Sequence, residues 1–307
     1  MFWSLRCFEK EADQREFALR ELFEERPPLD CSWKSMHAIH DLLDHHQELQ
    51  CVTRDKVGQV LQVATLSLKD KHGKSDRLVI GNTHLFYHPM ADHIRVMQAY
   101  ATCRQIDEVR RGTAPSKSSP PCPLIVCGDL NSDPLSGAVR LLLHREVEPD
   151  HFETWKNLYE YSWNKGEHGF LMDHGFVGNE VNAKHDPVYV DESFQDAKEE
   201  EDGVDTFDDP SNGGPPKIEL PPCFPHLLSG YVETPEFTNY AVDFTETLDY
   251  ILASEPALEE GVGFEASAAA PVPTSLEMMD YIAMPNEFMP SDHVSIVCDL
   301  RWKQFGK

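Results

Sequence analysis

The chain has 307 residues, 40% hydrophobic and 26% charged, which is enough for one large α/β domain or two small ones with a sizeable core. A formal net charge of −26 excludes a protein that simply coats nucleic acid, since that task needs a basic face. No apolar run approaches the ~18 residues of a membrane span, and none of the eight cysteines forms a C-x-x-C pair, so a reducing compartment fits better than a disulfide scaffold or a zinc site.

The opening MFWSLRCFEKEADQREF turns acidic at once and has the features of neither a secretory signal nor a transit peptide. Residues 11–25 place Phe17, Leu19, Leu22 and Phe23 as the apolar positions of an expected amphipathic helix, and residues 34–47 read as a second helix. QVLQVATLSLKD (59–70) alternates like a half-buried strand. KHGKSD is a polar turn, and RLVIGNTHL (77–85) completes an expected hairpin. Residues 93–111 carry Ile94, Met97, Ala101 and Ile106 on or near one face of a helix, and GTAPSKSSPPCP follows as a loop.

PLIVCGD (123–129) is continuously apolar, as a buried strand is, and it holds Cys127 as a small hydrophobe. Asp133 and Pro134 then stand where a helix cap and a first helical residue belong, ahead of SGAVRLLLHREV. Residues 160–222 lose periodicity and are expected to form a surface insertion. Its stretch from Asp186 to Asp209 has eleven acidic residues against one Lys, the composition of a solvated, disordered segment. A strand is expected at 247–253, an Ala- and Pro-rich loop at 266–274, and a turn leading into a last strand within 289–302.

Four polar groupings sit at the edges of these apolar strands: Asn82-Thr83-His84, Asp129-Leu130-Asn131, Asp249, and Ser291-Asp292-His293. Each has a plain structural reading, as a strand-end histidine, a turn residue or a cap. Asp249 is the hardest to read that way, because a carboxylate in an apolar strand needs a partner. Together they suit phosphodiester cleavage. That reaction needs a polarised phosphoryl oxygen, an activated water and a stabilised leaving oxygen. Carboxylates can hold Mg²⁺ for the first and third, an imidazole oriented by a carboxylate can protonate or bind the phosphate, and a carboxamide can donate to it without adding charge.

The motifs GNTHL (81–85), CGDLNSDP (127–134), LDYI (248–251) and SDH (291–293), in that order, resemble the endonuclease/exonuclease/phosphatase superfamily. NTHLFYHPMADHIRVMQA, FTNYAVDFTETLDYI and PSDHVSIVCDLRW resemble its 2′,5′-phosphodiesterase branch, a relative of the poly(A)-degrading deadenylases, from about residue 48 to 302. The resemblance implies a two-sheet α/β sandwich with the site at the strand ends. It implies one domain over residues 1–307 with a disordered acidic insertion at about 177–215. It also implies a Mg²⁺-dependent phosphodiesterase or exoribonuclease (Mn²⁺ able to replace Mg²⁺) acting on 2′,5′-oligoadenylate or the 3′ poly(A) tails of RNA. Alternatives are a deadenylase confined to 3′,5′ linkages and a non-catalytic binding module. No membrane and no obligate protein partner are implied, and the compartment is mitochondrial or cytoplasmic.

On the same resemblance, Asp129 activates the attacking water and helps place the metal. Asn131 binds the scissile phosphate and adds to the metal site, to which Asp292 also belongs. His293 contacts the phosphate with Asp249 orienting its ring, His84 is a second phosphate contact, and Asn239 faces the substrate. His88 fits the branch pattern, and Phe86, Tyr87, Arg95, Phe237 and Tyr240 lie near the motifs as candidates for gripping an RNA end or as scaffold. The family opens with a strand carrying an Asn and then a Gln-Glu pair whose Glu binds Mg²⁺. The only Gln-Glu here is Gln47-Glu48, in the polar DHHQELQ, read as a solvated helix end. The sandwich is therefore expected to be N-terminally truncated, and the chain as given to have little activity and to fold poorly alone.

Overall fold

A computed structural model describes residues 8–68, 77–113, 122–161, 213–242, 244–256, 262–278 and 281–304. The polar turn at 71–76, most of the loop after residue 112 and nearly all of the acidic insertion lie outside the described residues.

The centre is a six-stranded sheet: β1 (Phe8–Ala18), β2 (Val60–Leu68), β3 (Arg77–His84), β4 (Leu124–Asp129), β10 (Asp249–Ser254) and β7 (Leu227–Ser229), in the order β1-β2-β3-β4-β10-β7. β2 and β3 form the expected antiparallel pair. β3 and β4 run parallel, so their connection must cross over, and α3 (Asp92–Gly112) makes that crossing. β10 then enters antiparallel beside β4, placing Asp249 opposite Asp129.

One face of this sheet, with Leu61, Val63, Val79, Val126 and Leu252, packs beneath α1 (Ser35–His45), α3 and α4 (Gly137–His144) in the main core. Ile106 of α3 sits so close to β3 that a side chain at Gly81 would meet its Cδ1 at 2.3 Å. The opposite face carries Leu78 and Ala253, covered by Phe264 of β11 (Val262–Ala269) and, less fully, by Leu300 and Trp302 of β12 (Cys298–Gln304). Among the described residues β11 and β12 pair only with each other, so the second layer of the α/β sandwich is described as a two-stranded ribbon. Among the described residues no helix is long and apolar enough to cross a membrane.

Several elements differ from the sequence expectation. Residues 8–18 are a strand, not part of a helix, because pairing with β2 from Phe8↔Leu68 to Ala18↔Val60 overrides their helical composition. Only Leu19–Phe23 coil, as a 3₁₀ turn that buries Leu19 and Phe23. Asp133 is not the helix cap: its Oδ1 accepts from the Leu135 amide at 2.7 Å, and Ser136 caps α4 one turn later by accepting from the Val139 amide. Residues 213–222, assigned to the insertion, pack into the body instead, with Ile218 and Leu220 in the main core and β6 (Ile218–Glu219) paired to β5 (Glu146–Val147). Ala266–Ala269, expected as loop, complete β11 because β12 lies alongside. A short hairpin, β8 (Asn239–Ala241) and β9 (Phe244–Glu246), precedes β10 and was not anticipated.

Candidate active site

The polar groupings converge where β3, β4 and β10 end side by side. His84 is in register with Asp129, and Asp129 with Asp249, so three adjacent strands present chemistry-bearing residues along one rung. This is possible because β4 approaches β3 closely. Gly128 adopts φ 139°, and a Cβ there would fall 1.8 Å from the Thr83 carbonyl oxygen, which leaves glycine as the residue that fits.

After β4 the chain turns sharply. Asn131 takes the left-handed φ of 47°, its amide donates to Asp129 Oδ1 at 2.8 Å, and its Nδ2 donates to the Leu85 carbonyl at 2.9 Å. The turn thus locks the Asp129 carboxylate in place and, among the described residues, leaves Asn131 Oδ1 as the open acceptor of its carboxamide. The fourth segment arrives through a ladder of backbone bonds. The Tyr240 amide donates to the Asp292 carbonyl (2.9 Å), the Val294 amide donates to the Thr238 carbonyl (2.8 Å), and Asn239 bridges to His293. The Thr238 hydroxyl accepts from the amides of Leu248 and Asp249 at 2.9 and 3.0 Å, tying the same ladder to β10. Sequence reasoning missed Thr238; its only signal was its place immediately before Asn239.

His293 Nδ1 donates to Asp249 Oδ2 at 2.7 Å, which turns Nε2 toward Asp129 Oδ2, 3.8 Å away. His84 Nε2 lies 3.3 Å from that same oxygen on the solvent side, with its side chain 68% exposed. The hydrogen bond to Asp249 raises the His293 pKa above the usual histidine value, against the opposing effect of burial. Burial pushes the Asp129 carboxyl above the usual carboxylate range, and the nearby Asp249 charge adds to this against the Asn131 amide and the two imidazoles.

Asp129, Asp249 and His293 bring ligand atoms within 4.8 Å of one another. Two carboxylates this close suit a divalent cation, and oxygen donors suit a hard one. Asp292 falls outside this group, its Oδ2 facing Asn239 Nδ2 at 3.4 Å. The buried Asn239 keeps its Oδ1 without a hydrogen-bond partner among the described residues. Glu48 is exposed in the first turn of α2 (Gln47–Cys51) and is not in the cluster.

The recognition candidates divide. Arg95 is buried, ion-paired to Asp92 at 2.6 Å and bonded to the carbonyls of Phe86, His88 and Pro89, so it is scaffold. Phe86 and Phe237 are core residues. His88 is also buried, its Nδ1 accepting from the Met90 amide at 3.2 Å, which removes it from substrate contact. Tyr87 is exposed, and Tyr240 stands half-buried against Phe237.

The chain is 25% identical to mouse 2′,5′-phosphodiesterase 12 over 266 residues, covering 86% of this chain and 33% of the relative. It is 27% identical to the human protein of that name over 245 residues, covering 80% and 29%. The chain thus spans about a third of the length of the curated relatives it matches. Among solved structures, it superposes on ANGEL2, a 2′,3′-cyclic phosphatase, in complex with adenosine-2′,3′-vanadate, with a TM-score of 0.55 at 18% identity, covering 97% of this chain and 68% of that one. A model of the Endonuclease/Exonuclease/phosphatase family matches residues 40–293, an interval that holds every one of the converging groups and ends on His293, and the chain belongs to that family.

Proposed function

We propose that this chain is a divalent-metal-dependent phosphodiesterase that uses Mg²⁺, with Mn²⁺ able to replace it, to hydrolyse 2′,5′-linked oligoadenylate or the 3′ poly(A) ends of RNA. One observation carries the reading: Asp129 Oδ2 lies within 4 Å of two imidazoles, one of them held by Asp249. The names of the mouse and human relatives favour the 2′,5′ linkage.

Bound at the carboxylates, a divalent cation supplies Lewis-acid polarisation of a phosphoryl oxygen and a more acidic water. Asp129, as the carboxylate, takes the proton of the attacking water. His293 donates from Nε2 to a phosphoryl oxygen, while Asp249 fixes its ring and tautomer and stabilises the imidazolium. His84, on the open side, is a second donor to the phosphate. Asn131 and Asn239 place the scissile group. No third carboxylate joins Asp129 and Asp249 in the cluster among the described residues, so the cation is held weakly and turnover is slow.

The test is hydrolysis of 2′,5′- and 3′,5′-linked adenylate trimers side by side, with Asp129→Ala as control. Cleavage of the 2′,5′ trimer, reduced by roughly a thousandfold in the variant, is expected. Cleavage that survives Asp129→Ala, or none by the parent chain at saturating Mg²⁺ and Mn²⁺, overturns it, and the binding-module reading then stands.

A further inference from the structure

Asp249 and His293 share a 2.7 Å hydrogen bond, yet among the described residues no backbone hydrogen bond joins their two segments directly. β10 is held by β4 and β7, with Asp249 in register with Asp129. The backbone of 292–294 bonds instead to 238–240. The carboxylate therefore meets the ring at a distance set by whatever ties 238–240 to the start of β10.

Backbone pairing supplies that tie only part of the way. β8 pairs with β9, and the Thr238 amide donates to the Glu246 carbonyl at 3.0 Å, but Thr247 and Leu248 belong to neither β9 nor β10. At this break the amides of Leu248 and Asp249 both meet the Thr238 hydroxyl oxygen, at 2.9 and 3.0 Å. A regular strand turns consecutive amides to opposite edges, so two that converge on one oxygen mark a kink, and β10 begins at it. Thr238 is fully buried and Leu248 nearly so. Without that oxygen the two amides lose their acceptor in a place largely closed to solvent.

The other end of the same residue reaches the imidazole. The Thr238 carbonyl accepts from the Val294 amide at 2.8 Å, one residue past His293. Thr238 thus holds the main chain of the carboxylate through its side chain and the main chain beside the ring through its carbonyl, and it lies outside the cluster of ligand atoms.

We propose that Thr238 is the positioning residue of the Asp249–His293 pair: its hydroxyl fixes the kink that opens β10, and with it the distance and angle at which the carboxylate meets the ring. The effect on rate rests on the phosphodiesterase reading of the site, whereas the geometric claim does not, and the experiment reads the two separately.

The full chain, freed of metal by a chelator and without substrate, is examined by proton NMR at low temperature and fixed pH. The His293 Nδ1 proton, in a short bond to a carboxylate, resonates far downfield and is assigned by its loss in His293→Gln. Steady-state cleavage of the 2′,5′-linked adenylate trimer at saturating Mg²⁺ is measured in parallel. Thr238→Val keeps the shape and removes the acceptor, and Thr238→Ser keeps the acceptor and drops the methyl group. In Thr238→Val the downfield signal is expected to shift or vanish and kcat to fall roughly a hundredfold, the effect of a displacement of about 1 Å, with KM within about threefold of the parent. Thr238→Ser restores both signal and kcat, a rescue that lost packing at the methyl position would not give. Where circular dichroism shows Thr238→Val unfolded, Thr238→Cys, whose sulfur accepts amides only weakly, takes its place with the same expectation.

A folded Thr238→Val or Thr238→Cys with signal unmoved and kcat within about twofold of the parent overturns the proposal, as does a rate loss with the signal unmoved or a Thr238→Ser variant as impaired as Thr238→Val. A parent chain without the downfield proton overturns it too. A signal that depends on Thr238 in a parent chain that cleaves no trimer upholds the positioning role and overturns the phosphodiesterase reading.

Discussion

His293 Nδ1 and Asp249 Oδ2 are 2.7 Å apart, and that bond decides where the other ring nitrogen points and how readily it keeps its proton. The dyad makes the proposed reaction pH-dependent in a definite direction. His293 must be protonated to donate, and its pKa is raised, so activity falls as pH rises through a value above the usual ~6.5. Asp129 must be ionised, and its pKa is raised too, so the acid limb sits above the usual ~3.9. Asp249→Asn should move the alkaline limb to lower pH and reduce the rate, measured as a pH–rate profile with the His293 C2 proton followed by NMR. An unmoved limb would separate Asp249 from His293.

The same shifts have a sign for stability. Both folded pKa values lie above their unfolded values, so each contribution is fully present below the unfolded pKa and is lost as pH rises through the folded one. Asp129's is lost as pH rises through a value above the usual carboxylate pKa and His293's through one above the usual imidazole pKa. A cation at the carboxylates opposes the first loss, so Mg²⁺ should raise the melting temperature more at pH 7 than at pH 4, as thermal scans would register.

Cation binding also discriminates between two ligand sets. The family resemblance groups Asp129, Asn131 and Asp292, whereas the carboxylates that converge beside His293 belong to Asp129 and Asp249. Calorimetric titration with Mn²⁺ should show affinity lost in Asp129→Ala and Asp249→Ala and lowered by less than about threefold in Asp292→Ala, whose carboxylate faces Asn239 instead. Affinity lost in Asp129→Ala and Asp292→Ala but kept in Asp249→Ala would favour the first set.

Asn131 combines a backbone role and a chemical one, and two substitutions should part them. Asn131→Gly accepts the left-handed φ and should keep most of the stability, yet lose roughly a hundredfold in rate with the carboxamide gone. Asn131→Ala adds strain of about 1 kcal/mol to the same loss. Denaturant midpoints and initial rates measured together give the answer. If Asn131→Gly cleaves at the parent rate, the side chain only shapes the turn.

Arg95 should behave as scaffold. Arg95→Ala takes the guanidinium from the buried Asp92 and one donor from each of the Phe86, His88 and Pro89 carbonyls, of which His88 keeps the Ala91 amide, at a cost of about 3–5 kcal/mol, visible in urea unfolding. A stable Arg95→Ala variant with raised KM would return Arg95 to substrate binding.

The strands that build the site were legible because each is a short apolar run ending in a polar group, a pattern that survives without tertiary information. β1 was not, since EADQREFALR has helical composition, and only its partner β2, some 45 residues on, makes it extended. Residues 213–222 and Ala266–Ala269 were obscured in the same way, as their order comes from β5 and β12 rather than from local periodicity. At the site, the sequence order of His84, Asp129, Asp249 and His293 named the participants. Which carboxylate faces which imidazole depends on strand register across β3, β4 and β10, and nothing local encodes that.

The insertion of β10 between β4 and β7 has a kinetic consequence. The cluster draws on segments from residue 84 to residue 293; His84 and Asp129 meet through the β3–β4 pairing, but Asp249 and the His293 it holds join them only when the antiparallel β4–β10 pairing closes a loop of more than a hundred residues. Such long-range closure comes late, after the local helices and the β2–β3 hairpin. A partly folded chain therefore has near-native helix content and no site. Turnover by this protein is accordingly a reporter of complete folding, and far-ultraviolet circular dichroism regained ahead of activity during refolding would be the mark of that order.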